Sequence, residues 1–251
     1  MNRTELLSAF DALLEPERFK DYGPNGLQVE GKAEVRKIVS GVTASLALIE
    51  AAMAANADAI FVHHGLFWRG QSGTVTGWMK QRLALLLKHD INLYAYHLPL
   101  DAHPELGNNA QLGLQLGLTA TSRFGDQNLG FLGAKTDGSS FEDAFELSEH
   151  VKKVLNTPVT LINQAQAAIK NVAWCTGGAQ GYFEAAIAAG ADVFITGEIS
   201  EPQAHYAREM SVSFIACGHH ASERYGAPAV AAHVAAAHGL AHAFIDIDNP
   251  A

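Results

Sequence analysis

Apolar and polar positions alternate between two periods along this chain. "KIVSGVTA" (37–44), "DAIFVHHG" (58–65) and the start of "INLYAYHLPLDAH" (91–103) are apolar runs of strand length. Between them "SLALIEAAMAANA" (45–57), "MKQRLALLLKHD" (79–90) and "GNNAQLGLQLGL" (107–118) space their apolar residues with a helical period. A less regular stretch, 124–155, predicts a strand, a Gly-Ser turn and a helix. The alternation then resumes with "NVAWCTGG" (171–178), "YFEAAIAAGA" (182–191), "DVFITGEI" (192–199), "EMSVSFIACGHHASE" (209–223) and the Ala-rich helix "APAVAAHVAAAHG" (227–239). Strands that alternate with crossover helices predict an α/β fold.

The second run resembles the first. Laid without gaps, residues 37–64 match residues 171–198 at 7 of 28 positions, among them Glu50 with Glu184 and Asp58 with Asp192. Five of those identities are alanines, so the shared order carries more weight: strand, turn, helix, "Ala-Asp", apolar strand, polar loop. Setting His97 on His219 extends the match, and Asp101 then falls on Glu223. Each half thus delivers His-x-x-x-carboxylate just after an apolar strand. We read this as an internal duplication, with halves at 1–125 and 126–251 and a shared site where they meet.

The histidines sharpen that expectation. There are 12, more than tyrosine and tryptophan together, and several cluster at strand ends. Side chains on a strand alternate in direction. Two adjacent histidines aimed at one target, His63 and His64, therefore predict that the strand has just ended. His63, His64, His97, Asp101, His219, His220 and Glu223 make a set of imidazoles and carboxylates, which suits zinc, iron, manganese, nickel or copper better than calcium. Plainer readings exist for each: His97 bonded to a turn, Glu223 in the first turn of a helix, His220 facing solvent. The remaining histidines show no partner pattern.

Bulk composition narrows the partners. With 26 acidic against 17 basic residues and a net charge of −9, the surface is unsuited to non-specific nucleic-acid or membrane binding. The two cysteines, Cys175 and Cys217, lack metal or redox spacing and read as buried thiols of a reducing compartment. The N-terminus reads as an amphipathic helix, and no apolar run approaches a membrane span. A cytoplasmic protein is expected.

"DYGPNGLQVEG" (21–31), "HHGLFW" (63–68), "HLPLDAHPELGNNAQL" (97–112), "WCTGGAQ" (174–180), "FITGEISE" (194–201) and "GHHASERYG" (218–226) together resemble the Nif-three-like dinuclear-metal-centre family, whose members are often named GTP cyclohydrolase I type 2 homologues. The likeness spans nearly the whole chain and is greatest to the short bacterial members. It implies two intertwined α/β halves related by a pseudo-dyad. It also implies that His63, His64, Asp101, His219 and Glu223 bind two divalent metals, with Asp101 or Glu223 bridging and His97 beside them as a weaker ligand or proton-transfer group. A toroidal homohexamer is the family's expected assembly. Many relatives carry proline after the histidine pair, where this chain has Gly65.

The function expected is a metal-dependent hydrolase opening a C–N bond of a nucleotide-type heterocycle, with His97 and Glu223 as proton-transfer candidates. Arg69, beside a Gly/Ser/Thr loop, and Arg224 are candidate phosphate contacts. Glu198, at the strand end equivalent to the histidine pair, is a candidate to orient a ligand or touch substrate. Two other classes fit the same residues: a protein that handles divalent metals without turnover, and a phosphoesterase, whose sites are usually richer in Asp and Asn.

Overall fold

The computed structural model describes residues 1–162 and 168–251. The chain opens with α1 (Arg3–Leu14), β1 (Gly26–Val29), β2 (Lys37–Thr43), α2 (Leu46–Ala54), β3 (Ala59–His64), α3 (Gly77–Lys88), β4 (Asn92–Ala95) and α4 (Leu98–Ala102). It continues through α5 (Asn108–Gln115), β5 (Leu118–Phe124), β6 (Gly130–Lys135), α6 (Ala144–Leu155), β7 (Thr160–Ile162), β8 (Val172–Trp174), α7 (Phe183–Ala188), β9 (Val193–Thr196), α8 (Glu201–Met210), β10 (Ser213–Ala216) and α9 (His219–Glu223). It closes with α10 (Gly226–His238) and β11 (Ala241–Phe244). Two compact units result: Met1–Gly107 with Gly226–Asp248, and Asn108–Tyr225 with Asn249–Ala251. The divide thus lies at 107/108 rather than the expected 125/126, and the Ala-rich helix α10 belongs with the first unit.

In the first unit the sheet order is β1-β4-β3-β2-β11, with β4, β3, β2 and β11 parallel and β1 antiparallel at one edge. Both faces are covered, which is why its strands read as continuous apolar runs rather than alternating ones. Ile38, Ala59, Phe61 and Tyr94 face α1 and α10, packing on Phe10, Val230 and Val234. Their neighbours Val39, Ile60, Val62 and Leu93 face α2 and α3, packing on Leu48, Ile49 and Leu86.

In the second unit the order is β5-β6-β8-β9-β10-β7, with β8, β9 and β10 parallel. One face packs Trp174, Ile195 and Ile215 against Leu112 of α5 and Val151 of α6. On other strand positions Phe194 and Phe214 meet Phe183 of α7 with ring centroids 4.9–6.0 Å apart.

The repeated pattern reaches individual hydrogen bonds. The Asp58 carboxylate accepts from the N–H groups of Arg36 and Lys37, and Asp192 accepts from those of Lys170 and Asn171. The helix before each aspartate ends alike, with Ala57 N–H on the Ala52 carbonyl and Ala191 N–H on that of Ala186. The third parallel strand of each unit carries one antiparallel neighbour, β1 on β4 and β7 on β10.

The third strands correct one detail of the sequence match. Ala59 pairs with Asn92 and Val193 with Ser213, so Asn92 corresponds to Ser213 and His97 to Gly218, not to His219. The helices agree, because His97 caps α4 as Gly218 caps α9. His-x-x-x-carboxylate therefore begins one position later in the second unit. One residue is about 100° of helix rotation, so the two His-x-x-x-carboxylate pairs begin at different angles relative to the starts of their helices.

Asp58 supports a stability prediction. Burial acts to raise its pKa, but the Lys32 ammonium and the two N–H groups outweigh burial and hold it below the usual carboxylate value. A depressed folded-state pKa stabilises above the unfolded value and is lost as pH falls through the folded one. Asp58→Ala is expected to cost about 1–3 kcal/mol at neutral pH through its two unsatisfied N–H groups. The difference from wild type should shrink in acid. Thermal unfolding of both proteins at neutral and acidic pH checks this.

Candidate metal centre

In the first unit three histidines converge. β3 runs through His63 and His64 instead of ending before them, as Thr43 still pairs with His64. The rings nonetheless lie 4.5 Å apart between centroids, closer than opposite-facing neighbours come, so the alternation fails at this last pair. His97 enters from the turn between β4 and α4, with its ring 5.0 Å from that of His63. One ring nitrogen of each of the three lies within 4.8 Å of the others. Asp101, buried in α4, brings Oδ1 to 3.5 Å from His63 Nε2. After β4 a short helix begins at once, tolerating Pro99 because the first turn has N–H groups without helical partners.

In the second unit His219 and Glu223 share a face of α9, with His219 Nε2 3.2 Å from Glu223 Oε2. Glu223 is almost fully buried and closes α9, rather than standing in the first turn of a helix as one reading had it. His219 Nδ1 donates to Glu198 Oε1 at 2.6 Å. Burial alone would lower the His219 pKa, yet its bonds to Glu223 and Glu198 raise it to about 9. The pair of carboxylates thus favours a positive charge on this ring, and a cation bound at Nε2 would displace a proton. His220 is buried, not solvent-facing, and its N–H bonds the Ala251 carbonyl.

All four histidines are anchored the same way. Nδ1 meets the Tyr96 carbonyl for His63, Thr43 Oγ1 for His64, Asp21 for His97 and Glu198 for His219. Histidines that bind metals are commonly held by their other nitrogen in this fashion, which fixes ring orientation. At His219 and His63 the other nitrogen, Nε2, faces a carboxylate, Glu223 Oε2 at 3.2 Å and Asp101 Oδ1 at 3.5 Å. Neutral imidazoles with buried carboxylates are a donor set suited to first-row divalent cations, so these residues fit such a metal.

The other sequence candidates are placed less simply. Arg69 is exposed, donates to the Asp21 carbonyl at 2.6 Å and lies 5.8 Å from the Tyr22 ring centroid. Arg224 donates to the Leu155 carbonyl, at the end of α6. Both therefore spend part of the guanidinium on the main chain. Of the remaining histidines, His150 bonds the Leu116 carbonyl and His242 bonds Ser40, as ordinary structural groups.

Sequence reasoning missed Asp21 and Gly177. Asp21 stands in "DYGPN", a stretch without any metal-type spacing, and reaches His97 from 76 residues away. Burial acts to raise its pKa, but the His97 bond and charge, Asn25 and the Tyr22 N–H together lower it. Gly177 adopts φ +70°, and any Cβ there would overlap Glu223 Oε1. The glycine pair in "WCTGG" was a visible signal, but what it makes room for was not.

A family model described as Duf34/NIF3 (NGG1p interacting factor 3) matches residues 1–250. A protein of Neisseria meningitidis serogroup A named GTP cyclohydrolase 1 type 2 homolog is 49% identical over 253 residues, covering 99% of each chain. The solved structure of protein ybgI, described as of unknown function, superposes with a TM-score of 0.95 at 45% identity over 100% of both chains. A solved structure from Thermus thermophilus gives 0.88 at 33% identity, again over 100% of both. The chain belongs to the DUF34/NIF3 family.

Proposed function

We propose that this protein is a metal-dependent hydrolase that opens a C–N bond in a nucleotide-type heterocycle. His63, His64, Asp101, His219 and Glu223 would hold two divalent cations. The observation that carries this reading is the common anchoring of His63, His64, His97 and His219 through Nδ1, which fixes the orientation of each ring as it is fixed in metal-binding histidines. When bound, such cations supply Lewis-acid polarisation of a substrate oxygen and a water of lowered pKa.

The chain's own residues do the rest. His97 moves a proton at Nε2, with Asp21 behind Nδ1. Glu198 holds the His219 ring, and Glu223 offers a buried carboxylate shielded from bulk water. Arg69 stands on an exposed loop after the histidine pair and binds substrate phosphate there. The name carried by the Neisseria relative makes GTP the first substrate to assay.

One observation favours a second reading, the handling of divalent metals without turnover: Arg69 and Arg224 both donate to main-chain carbonyls, which weakens a phosphate cradle. One experiment separates the two. The protein is purified without a histidine tag or added metal, its metal per chain is measured by elemental analysis, and the sample is assayed with GTP for formate release. About two ions per chain with metal-dependent formate release is the expected result. The same metal content without turnover, on GTP or other nucleotides, supports metal handling instead.

A further inference from the structure

We infer that Asp21 is a positioning residue that fixes the tautomer of His97, keeping the ring's lone pair on Nε2. The Asp21 side chain is 4% exposed and its two oxygens are fully engaged. Oδ1 faces His97 Nδ1 at 2.7 Å and the Tyr22 N–H at 2.6 Å. Oδ2 accepts from the Leu98 N–H and from Asn25 Nδ2, both at 2.9 Å. Asn25 in turn accepts the His97 N–H through Oδ1 at 2.7 Å. One loop therefore grips the His97 backbone on both sides and its ring from behind.

An ionised carboxylate only accepts hydrogen bonds. Every partner of Asp21 must then donate, and a neutral His97 can do so only as the Nδ1–H tautomer. Its Nε2 is left with a lone pair, able to take a proton or join a cation. Three of the four partners, Tyr22 N–H, Leu98 N–H and Asn25 Nδ2, are fixed donors; the imidazole is the one that can switch.

That asymmetry gives Asp21→Asn a definite outcome. An amide has one accepting and one donating end. The Oδ2 side has two fixed donors, Leu98 N–H and Asn25 Nδ2, and the Oδ1 side has one, Tyr22 N–H, so the NH2 group is expected to turn toward His97 at the cost of the Tyr22 bond. Nδ1 must then accept, and the proton moves to Nε2. The variant keeps the shape of the side chain and reverses the tautomer.

The consequence for coordination rests on the metal-dependent reading above; the tautomer itself does not. The test uses the full-length chain stripped of metal, with 15N-labelled imidazoles observed by NMR at mildly alkaline pH and His97→Gln used for assignment. Wild type is expected to show a pyrrole-like Nδ1 and a pyridine-like Nε2 at His97, and Asp21→Asn the reverse. Zinc titration should then show affinity falling about 10–100-fold in the variant. A wild-type His97 protonated at Nε2 overturns the inference, and that measurement stands even if the variant does not fold. An unchanged tautomer in a folded Asp21→Asn, with only a lower melting temperature, also overturns it by reducing Asp21 to a structural role. Reversal of the tautomer in a protein that binds no zinc in either form would uphold the positioning role and refute the metal reading.

Discussion

Gly177→Ala is expected to destabilise the protein and to strip it of metal, whereas alanine at the adjacent Gly178 does little. Gly177 has φ +70°, where an L-residue is strained, and its missing Cβ leaves the space filled by Glu223 Oε1. The loop is held in place by the Gly177 N–H on Ser222 Oγ at 2.9 Å and by its carbonyl, which accepts from Thr196 Oγ1 at 3.0 Å and from the Gly197 N–H at 2.9 Å. It has no freedom to retreat. The strain and overlap together amount to roughly 2–5 kcal/mol, with part relieved by pushing the carboxylate away from His219. At Gly178 a Cβ would meet Glu198 Oε1 at 3.4 Å, an ordinary contact. Thermal melts and metal analysis of the two variants side by side make the comparison. Equal behaviour would show that the close approach at Glu223 does not matter.

Glu223→Gln and His63→Ala are each expected to bring metal content below two ions per chain, and they should do so by different routes. Glu223→Gln preserves volume but removes the charge opposite His219, so the fold should persist while affinity falls by more than the 10–100-fold typical of losing an orienting partner. His63 is fully buried beneath the Tyr96 carbonyl, so His63→Ala also leaves a cavity and an unsatisfied carbonyl. A stability loss of about 2–5 kcal/mol should accompany its metal loss. Elemental analysis with circular dichroism on the same samples distinguishes the two. Full occupancy in both folded variants would refute the ligand assignment.

Much of the architecture was legible because burial on both sheet faces leaves a plain trace. β2, β3 and β4 announce themselves as apolar runs, and α2 and α3 by helical period, since each must present one face to the same core. The repeat was legible for a related reason. Asp58 and Asp192 perform the same task, accepting two N–H groups at the start of the preceding strand, and so stand at matching positions. The helices α4 and α9 were harder, because at five residues they are too short to display a period. The slip of one position between His97 and His219 followed from that. Matching residue types aligned the histidines, whereas the ladder aligned the strands.

Sequence alone determined the α/β class, the family and the ligand-type residues, because these depend on residue chemistry and on periods that local geometry imposes. Only the tertiary structure decided that His97 answers to Asp21, that Glu198 stands behind His219, and that Gly177 yields its side-chain space to Glu223. These relations join residues 21 to 76 positions apart. No local periodicity links such residues; chain packing brings them within hydrogen-bond reach, and that reach fixes how each histidine ring is anchored.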